Sequence, residues 1–280
     1  MANLKKCVAL LLTALLLGGV FTAAAGAAER PYYLVLGDSI GVGAGISNSN
    51  EACYGRIVAN TNGYDYQNDA VNGNRTEDLI ARLKNPEVAS HVAKADIISL
   101  SIGGNNFLRG NMTALIAEAQ NGNYSRIDET VAAYAVDLDS ILSTIRGLNA
   151  RVVVLLQTLY NPAPGGGLNS VYQTAVDRLN AAMRKAAAEH DGVVIVEVEA
   201  AFGADNSLIS WDNVHPNAAG NVVIAREVLK TLKELGLGQE TEPKIVTPGR
   251  DWAPTGFAAL LRRIADFFRR LFASLTSLFR

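Results

Sequence analysis

The sequence predicts an α/β fold built on a mainly parallel sheet, and three observations carry that expectation. Short continuous apolar runs recur along the chain, most ending at Gly, Asn or Pro. The segments between them repeat apolar residues at helical spacing. The composition of the 280 residues, 49% hydrophobic and 19% charged, is that of a globular domain. Strands that alternate with helices form right-handed βαβ units. Strands that are apolar throughout, rather than at every second position, are covered by helices on both faces.

Tyr32 to Leu36 is the first such run and meets Gly37 at once. A weaker one spans Tyr66 to Val71 and ends at Asn72-Gly73. The runs Ala95 to Ile102 and Arg151 to Leu159 end at Gly103-Gly104 and Asn161-Pro162, and Val193 to Val198 completes the set. Helical spacing marks Thr76 to Leu83, Ile127 to Leu148, Ser170 to Glu189 and Ala218 to Leu235. No repeat of solenoid length is present.

The two ends read as separate objects. Residues 1–27 combine a basic start (Lys5, Lys6), an apolar stretch from Val8 to Leu17 and the small residues Ala25-Gly26-Ala27, the pattern of a secretory signal peptide. Removing it leaves Cys53 as the only cysteine and no intramolecular disulfide, so the exported domain, residues 28–236, relies on its core. Residues 237–256 are polar, poor in periodicity, and expected to be a linker. Residues 257–280 place large apolar residues, Phe267 and Phe272 among them, on one helical face and Arg262, Arg263, Asp266, Arg269 and Arg270 on the other. Between residues 28 and 248, 17 basic residues face 25 acidic ones, a net −8; from 249 to 280 six face two, a net +4. An amphipathic cationic helix suits the surface of an anionic membrane, and it is too interrupted by charge to span one. The overall charge of −2 offers nothing to a nucleic acid.

Reactive groups of open parallel sheets collect at the carboxyl ends of the strands. The first strand end supplies Gly37-Asp38-Ser39-Ile40-Gly41, a serine whose glycine neighbours allow a sharp turn and leave its hydroxyl uncovered. The second supplies Gly73, and the third Gly103-Gly104-Asn105-Asn106. Backbone N–H groups at Ser39 and Gly73 and the amide of Asn105 are the donor types that an oxyanion hole needs. A serine nucleophile requires a base, and a histidine base requires an orienter. Of the three histidines, His91 precedes a strand and His190 ends a helix. His215 lies in Ser210-Trp211-Asp212-Asn213-Val214-His215-Pro216, where Asp212 is one turn away from it. No group of His, Cys and carboxylates has metal-ligand spacing, so neither metal nor cofactor is expected. The run Gly41-Val42-Gly43-Ala44-Gly45 lacks the spacing of a dinucleotide-binding turn. Ser39 also satisfies the G-x-S-x-G pattern of the α/β-hydrolases, but that fold places several strands before its nucleophile and only one precedes Ser39 here.

In these four blocks the sequence resembles the SGNH (GDSL-type) hydrolases: Gly37-Asp38-Ser39, then Gly73, then Gly103-Gly104-Asn105, then Asp212 to His215, in the family's order across about residues 31–235. The resemblance implies a flavodoxin-like three-layer fold whose five-stranded parallel sheet has the order 2-1-3-4-5. It also implies ester hydrolysis through an acyl-enzyme on Ser39, with Asp212 and His215 as orienter and base and with Ser39, Gly73 and Asn105 as the oxyanion hole. Asn106 stands where the family often has Asp. A secreted esterase or lipase is therefore expected. The alternatives are an exported carbohydrate O-acetylesterase on the same fold and a non-catalytic membrane-associated binding protein.

Overall fold

The computed structural model describes residues 30–108, 112–165 and 167–252. Five strands form one sheet in the order β2-β1-β3-β4-β5, and every neighbouring pair is parallel: β1 (Tyr32–Gly37), β2 (Asp65–Asn68), β3 (Ile97–Ser101), β4 (Val153–Gln157) and β5 (Val193–Val196). The fold and strand order implied by the resemblance are thus the ones observed. The signal sequence expected in residues 1–27 and the amphipathic helix expected in 257–280 lie outside the described residues. No described helix is long and apolar enough to cross a membrane.

The pleat explains the continuous apolar runs. Leu34, Leu36, Ile98, Leu100, Val154 and Leu156 point to one face of the sheet, and Tyr33, Val35, Ile97, Leu155 and Val196 to the other. Each face has its own cover. Helices α4 (Thr76–Leu83), α5 (Pro86–Lys94), α8 (Ser125–Leu148) and α9 (Asn169–Glu189) bury Leu79, Val92, Ile141 and Leu179 on the first. Helices α3 (Tyr54–Asn62), α10 (Val198–Phe202) and α11 (Ala218–Glu234) bury Val58, Phe202 and Val228 on the second. The short α1 (Ser39–Val42), α2 (Ser49–Ala52), α6 (Gly104–Leu108) and α7 (Met112–Gln120) lie on the connections.

Besides adding α1, α2, α3, α6, α7 and α10, which no periodicity marked, the structure differs from the sequence reading in three places. The second strand stops at Asn68, because the expected continuation bends away: Asn68 Oδ1 accepts from the Ala70 amide at 3.0 Å, a side-chain turn that ends pairing. The stretch containing His91 is a full helix. Pro86 occupies its first turn and Asn85 caps it, accepting from the Glu87 amide at 2.9 Å. Finally, the described part of the expected linker, residues 237–252, runs along the body on hydrogen bonds. Tyr64 Oη donates to Leu237 O at 2.5 Å, Lys244 N to Thr61 Oγ1 at 2.9 Å and Trp252 N to Gly45 O at 3.0 Å.

Leu100 sits in the central strand at 0% exposure, within a closely packed core face. Leu100→Ala should cost about 2–5 kcal/mol in equilibrium denaturation; a loss below about 1 kcal/mol would contradict the packing described here.

Candidate active site

The strand ends bring the sequence-nominated residues to one edge of the sheet. Gly37 is the last residue of β1 and pairs with Ser101 of β3. Its φ of +119° excludes most side chains, and a Cβ there would lie 1.9 Å from Ser101 O, so only glycine lets the two strand ends approach this closely. The chain then turns into α1. Asp38 caps it, Oδ1 accepting from the Ile40 amide at 3.0 Å, and Ser39 becomes its first residue.

Ser39 Oγ lies 2.8 Å from His215 Nε2, and His215 Nδ1 lies 2.7 Å from Asp212 Oδ2. With Nδ1–H donating to the carboxylate, Nε2 is left as the acceptor of the serine hydroxyl. The other oxygen of Asp212 accepts from the amides of His215 at 2.9 Å and Val214 at 3.0 Å. Burial works to raise the Asp212 pKa, but the His215 ring and these two amides outweigh it and hold the carboxylate down at about 2. The turn that allows this is tight. Asn213 has φ +60°, a conformation that asparagine tolerates better than most residues, and Ser210 N donates to His215 O at 2.7 Å. Tyr160, buried beyond the end of β4, donates from Oη to Val214 O at 2.6 Å and supports the loop from within. His91 and His190 face carboxylates instead, Asp69 at 2.7 Å and Asp139 at 2.8 Å.

The expected oxyanion donors divide. Ser39 and Asn105 both line the cleft beside the hydroxyl; Gly73, at φ +78° in the turn after β2, is not among the lining residues. Asn105 Nδ2 donates to Asn74 O at 3.0 Å, tying the Gly73 turn to α6 and leaving its second N–H for the cleft. Asn106 holds the same two segments together from behind: its Oδ1 accepts from the Thr76 amide at 3.3 Å, its Nδ2 donates to Thr76 Oγ1 at 2.8 Å, and Thr76 in turn donates to Asp137 on α8 at 2.5 Å. An aspartate at 106 could not donate to Thr76. From Ser39 the cleft, about 800 Å³ including its open mouth, runs between α7 and α9. Its walls are Met112, Leu115 and Ile116 on one side and Val171, Ala175 and Leu179, spaced four apart on one helix face, on the other.

Sequence reasoning passed over Tyr160, Ser101 and the side chain of Asp38. Only Asp38 had a signal, its place in the Gly-Asp-Ser block. It is 2% exposed. Burial lifts its pKa to about 6, against the opposing effect of hydrogen bonds from Ile40 N and from Ser101 Oγ at 3.1 Å. The unfolded carboxyl loses its proton near pH 4, while the folded one keeps it to about pH 6. Its contribution to stability is therefore fully present below about pH 4 and is lost as the pH rises through 6, roughly 3 kcal/mol in all. Asp38→Asn keeps both acceptor bonds without the charge. Its stability relative to the parent should be greater at pH 8 than at pH 4.5 in thermal unfolding; an equal difference at both would refute the burial effect.

Comparison with known proteins gives this geometry a family. The Bacillus subtilis (strain 168) protein YpmR is 32% identical over 184 residues, 63% of this chain and 69% of that protein. The structure of the lipase Lip_vut3 from a goat rumen metagenome superposes with a TM-score of 0.61 at 23% identity, covering 75% of this chain and 99% of that one. That of a catalytic mutant of Axe2, an acetylxylan esterase from Geobacillus stearothermophilus, does so with a TM-score of 0.57 at 21% identity, covering 76% and 97%. At those identities the two structures speak for the fold. The sequence profile of the GDSL-like Lipase/Acylhydrolase family matches residues 35–223, from within β1 into α11, and the chain belongs to that family.

Proposed function

We propose that this chain is an exported serine esterase that cleaves carboxylic esters of aliphatic acyl chains, lipid esters among them, through an acyl-enzyme on Ser39. The observation that carries the reading is the apolar cleft that opens directly at the hydrogen-bonded Ser39–His215 pair. An acetylated sugar needs a small acyl slot and polar groups for its hydroxyls, whereas the long walls of this cleft are Met, Leu, Ile, Val and Ala. The carbohydrate O-acetylesterase alternative is disfavoured for that reason. The non-catalytic alternative is disfavoured by the intact Ser39–His215–Asp212 chain.

In the proposed reaction His215 Nε2 takes the hydroxyl proton as Ser39 Oγ bonds to the ester carbonyl carbon. The negative oxygen formed rests on the Ser39 N–H and the second N–H of Asn105; the Gly73 N–H, the third donor that the resemblance implies, belongs to the turn that Asn105 ties down through Asn74 O. Asp212, charged at every working pH, stabilises the imidazolium. The C–O bond to the alcohol breaks, and His215 gives its proton to the leaving oxygen. Water then attacks the acyl carbon, again surrendering a proton to Nε2. The bond to Oγ breaks, the proton returns to Ser39 and the acid leaves.

The acyl-chain series tests this directly. Each methylene buried in an apolar wall contributes about 0.8 kcal/mol, so burying even two or three of the extra methylenes of p-nitrophenyl octanoate should raise kcat/KM over that on the acetate by about tenfold to a hundredfold. Ser39→Ala should lower kcat by about 10³-fold or more while the protein stays folded. Preference for acetate would overturn the aliphatic assignment, and wild-type turnover in folded Ser39→Ala would overturn the nucleophile.

The arginine-rich segment after residue 256 supports a second element of the reading, adsorption to an anionic membrane near lipid esters. Vesicles containing phosphatidylglycerol should sediment residues 28–280 but not a chain ending at Trp252, and added salt should weaken the binding. Equal sedimentation of both would end the localising role.

A further inference from the structure

Residues 248–252 run antiparallel to residues 45–48, the segment that follows the helix carrying Ser39. Ile46 and Asp251 form the bridge; Ser47 N donates to Arg250 O at 2.7 Å and Trp252 N to Gly45 O at 3.0 Å. Asn48, buried, engages the strap with both ends of its amide: Nδ2 donates to Pro248 O at 3.1 Å and Oδ1 accepts from Arg250 N at 2.8 Å. The same residues hold the other half of the site. Asp251 Oδ1 accepts from the Ala218 amide at 2.7 Å, at the first residue of α11 and three positions after His215. There a helix leaves backbone N–H groups without partners and favours negative charge. Trp252 packs its ring on that of Trp211, centroids 4.5 Å apart, and Trp211 immediately precedes Asp212. Gly45 closes the set. Its carbonyl also accepts from Ser210 Oγ at 3.3 Å, and at φ +103° a Cβ there would lie 2.3 Å from Pro216 O.

We propose that Asp251 and Trp252 are positioning residues that fix the Asp212–His215 loop against the segment of Ser39. The inference rests on the esterase reading given above. The hydrogen bonds internal to residues 210–216 set His215 relative to Asp212, but they do not set the pair relative to Ser39. That second placement comes from contacts outside the loop: Tyr160 and Asn221 from within the body, and the strap with Gly45 from the outside. A reacting group displaced by about 1 Å loses on the order of a hundredfold in rate. A partial loosening, with Tyr160 still in place, should cost less.

The test uses the full chain with Asp251→Ala, Asp251→Asn, Trp252→Ala and Trp252→Phe, beside Ser39→Ala, on p-nitrophenyl octanoate, with folding followed by near-UV circular dichroism. Asp251→Ala and Trp252→Ala should each lower kcat about tenfold per folded molecule. KM should stay within about twofold because the acyl cleft is untouched. The acidic limb of the pH profile should not move, because the Asp212–His215 bond is kept. Asp251→Asn retains the acceptor for the Ala218 amide and Trp252→Phe retains a ring against Trp211, so both should recover most of the rate. Parent-like kcat in the two alanine variants overturns the proposal, as does a loss that only tracks the unfolded fraction or that the conservative variants fail to recover. Should the parent chain cleave no ester, the esterase reading fails and the proposal falls with it; an active parent with indifferent strap variants rejects the strap alone.

Discussion

The 2.8 Å separation between Ser39 Oγ and His215 Nε2 joins segments 176 positions apart in sequence, and much of the surrounding structure serves to keep it. On the serine side the constraint is covalent and local. The close approach of Gly37 to Ser101 delivers the chain to one point above the sheet, and the Asp38 cap starts a helix there. On the histidine side no strand leads directly to the residue. A short loop between the turn at Asn206–Leu208 and α11 carries it, so its placement has to come from groups that hold the loop by its carbonyls and its ends. Tyr160, Asn217 and Asn221 supply such groups, the last reaching Pro216 O at 3.3 Å while accepting from Tyr54 N at 3.0 Å. A hydrolase site of this kind is thus rigid where the sheet ends and dependent on polar bracing where the loop begins.

Two carboxylates near that bond live in opposite surroundings. Asp212 accepts from a ring and two amides and stays ionised well into acid. Asp38, wrapped in the protein, is lifted to about 6. The difference is one of donors against burial: both are withdrawn from water, but the donors reaching Asp212 more than offset the loss of hydration, while those reaching Asp38 do not. A charge at Asp38 would sit next to Ser39 in the chain, and the fold keeps it muted until near neutrality.

What was legible in the sequence follows from the range of the forces involved. Strands β1, β3 and β4 were visible because burial on both faces writes itself as largely apolar runs, and the edge strand β5 because its residues are all Val or Ile. Strand β2 blurred because it is a partly exposed edge carrying Asp, Gln and Asn. Asp212 and His215 could be paired from sequence because three residues span one turn, and their contact needs nothing distant. Gly73 could be named but not given a position, since a backbone N–H has no residue-specific signature. The short helices α1, α2 and α6 lack the length for periodicity to show. The path of residues 237–252 was invisible for a related reason: it is held largely through backbone amides and carbonyls, which every residue has, and its polar, proline-bearing composition is also that of a free linker.

The packing of Trp252 on Trp211 also fixes the point in the fold from which residues 253–280 continue. That point is one ring away from the residue preceding the Asp212 carboxylate, so whatever follows Trp252 is tethered beside the catalytic edge rather than at the far end of the sheet. Tension, adsorption or cleavage just downstream would be felt first by the loop that carries His215. Residues 248–252 are in that sense mechanically in series with the hydrogen-bonded chain from Ser39 to Asp212, and a load on them would reach its alignment first.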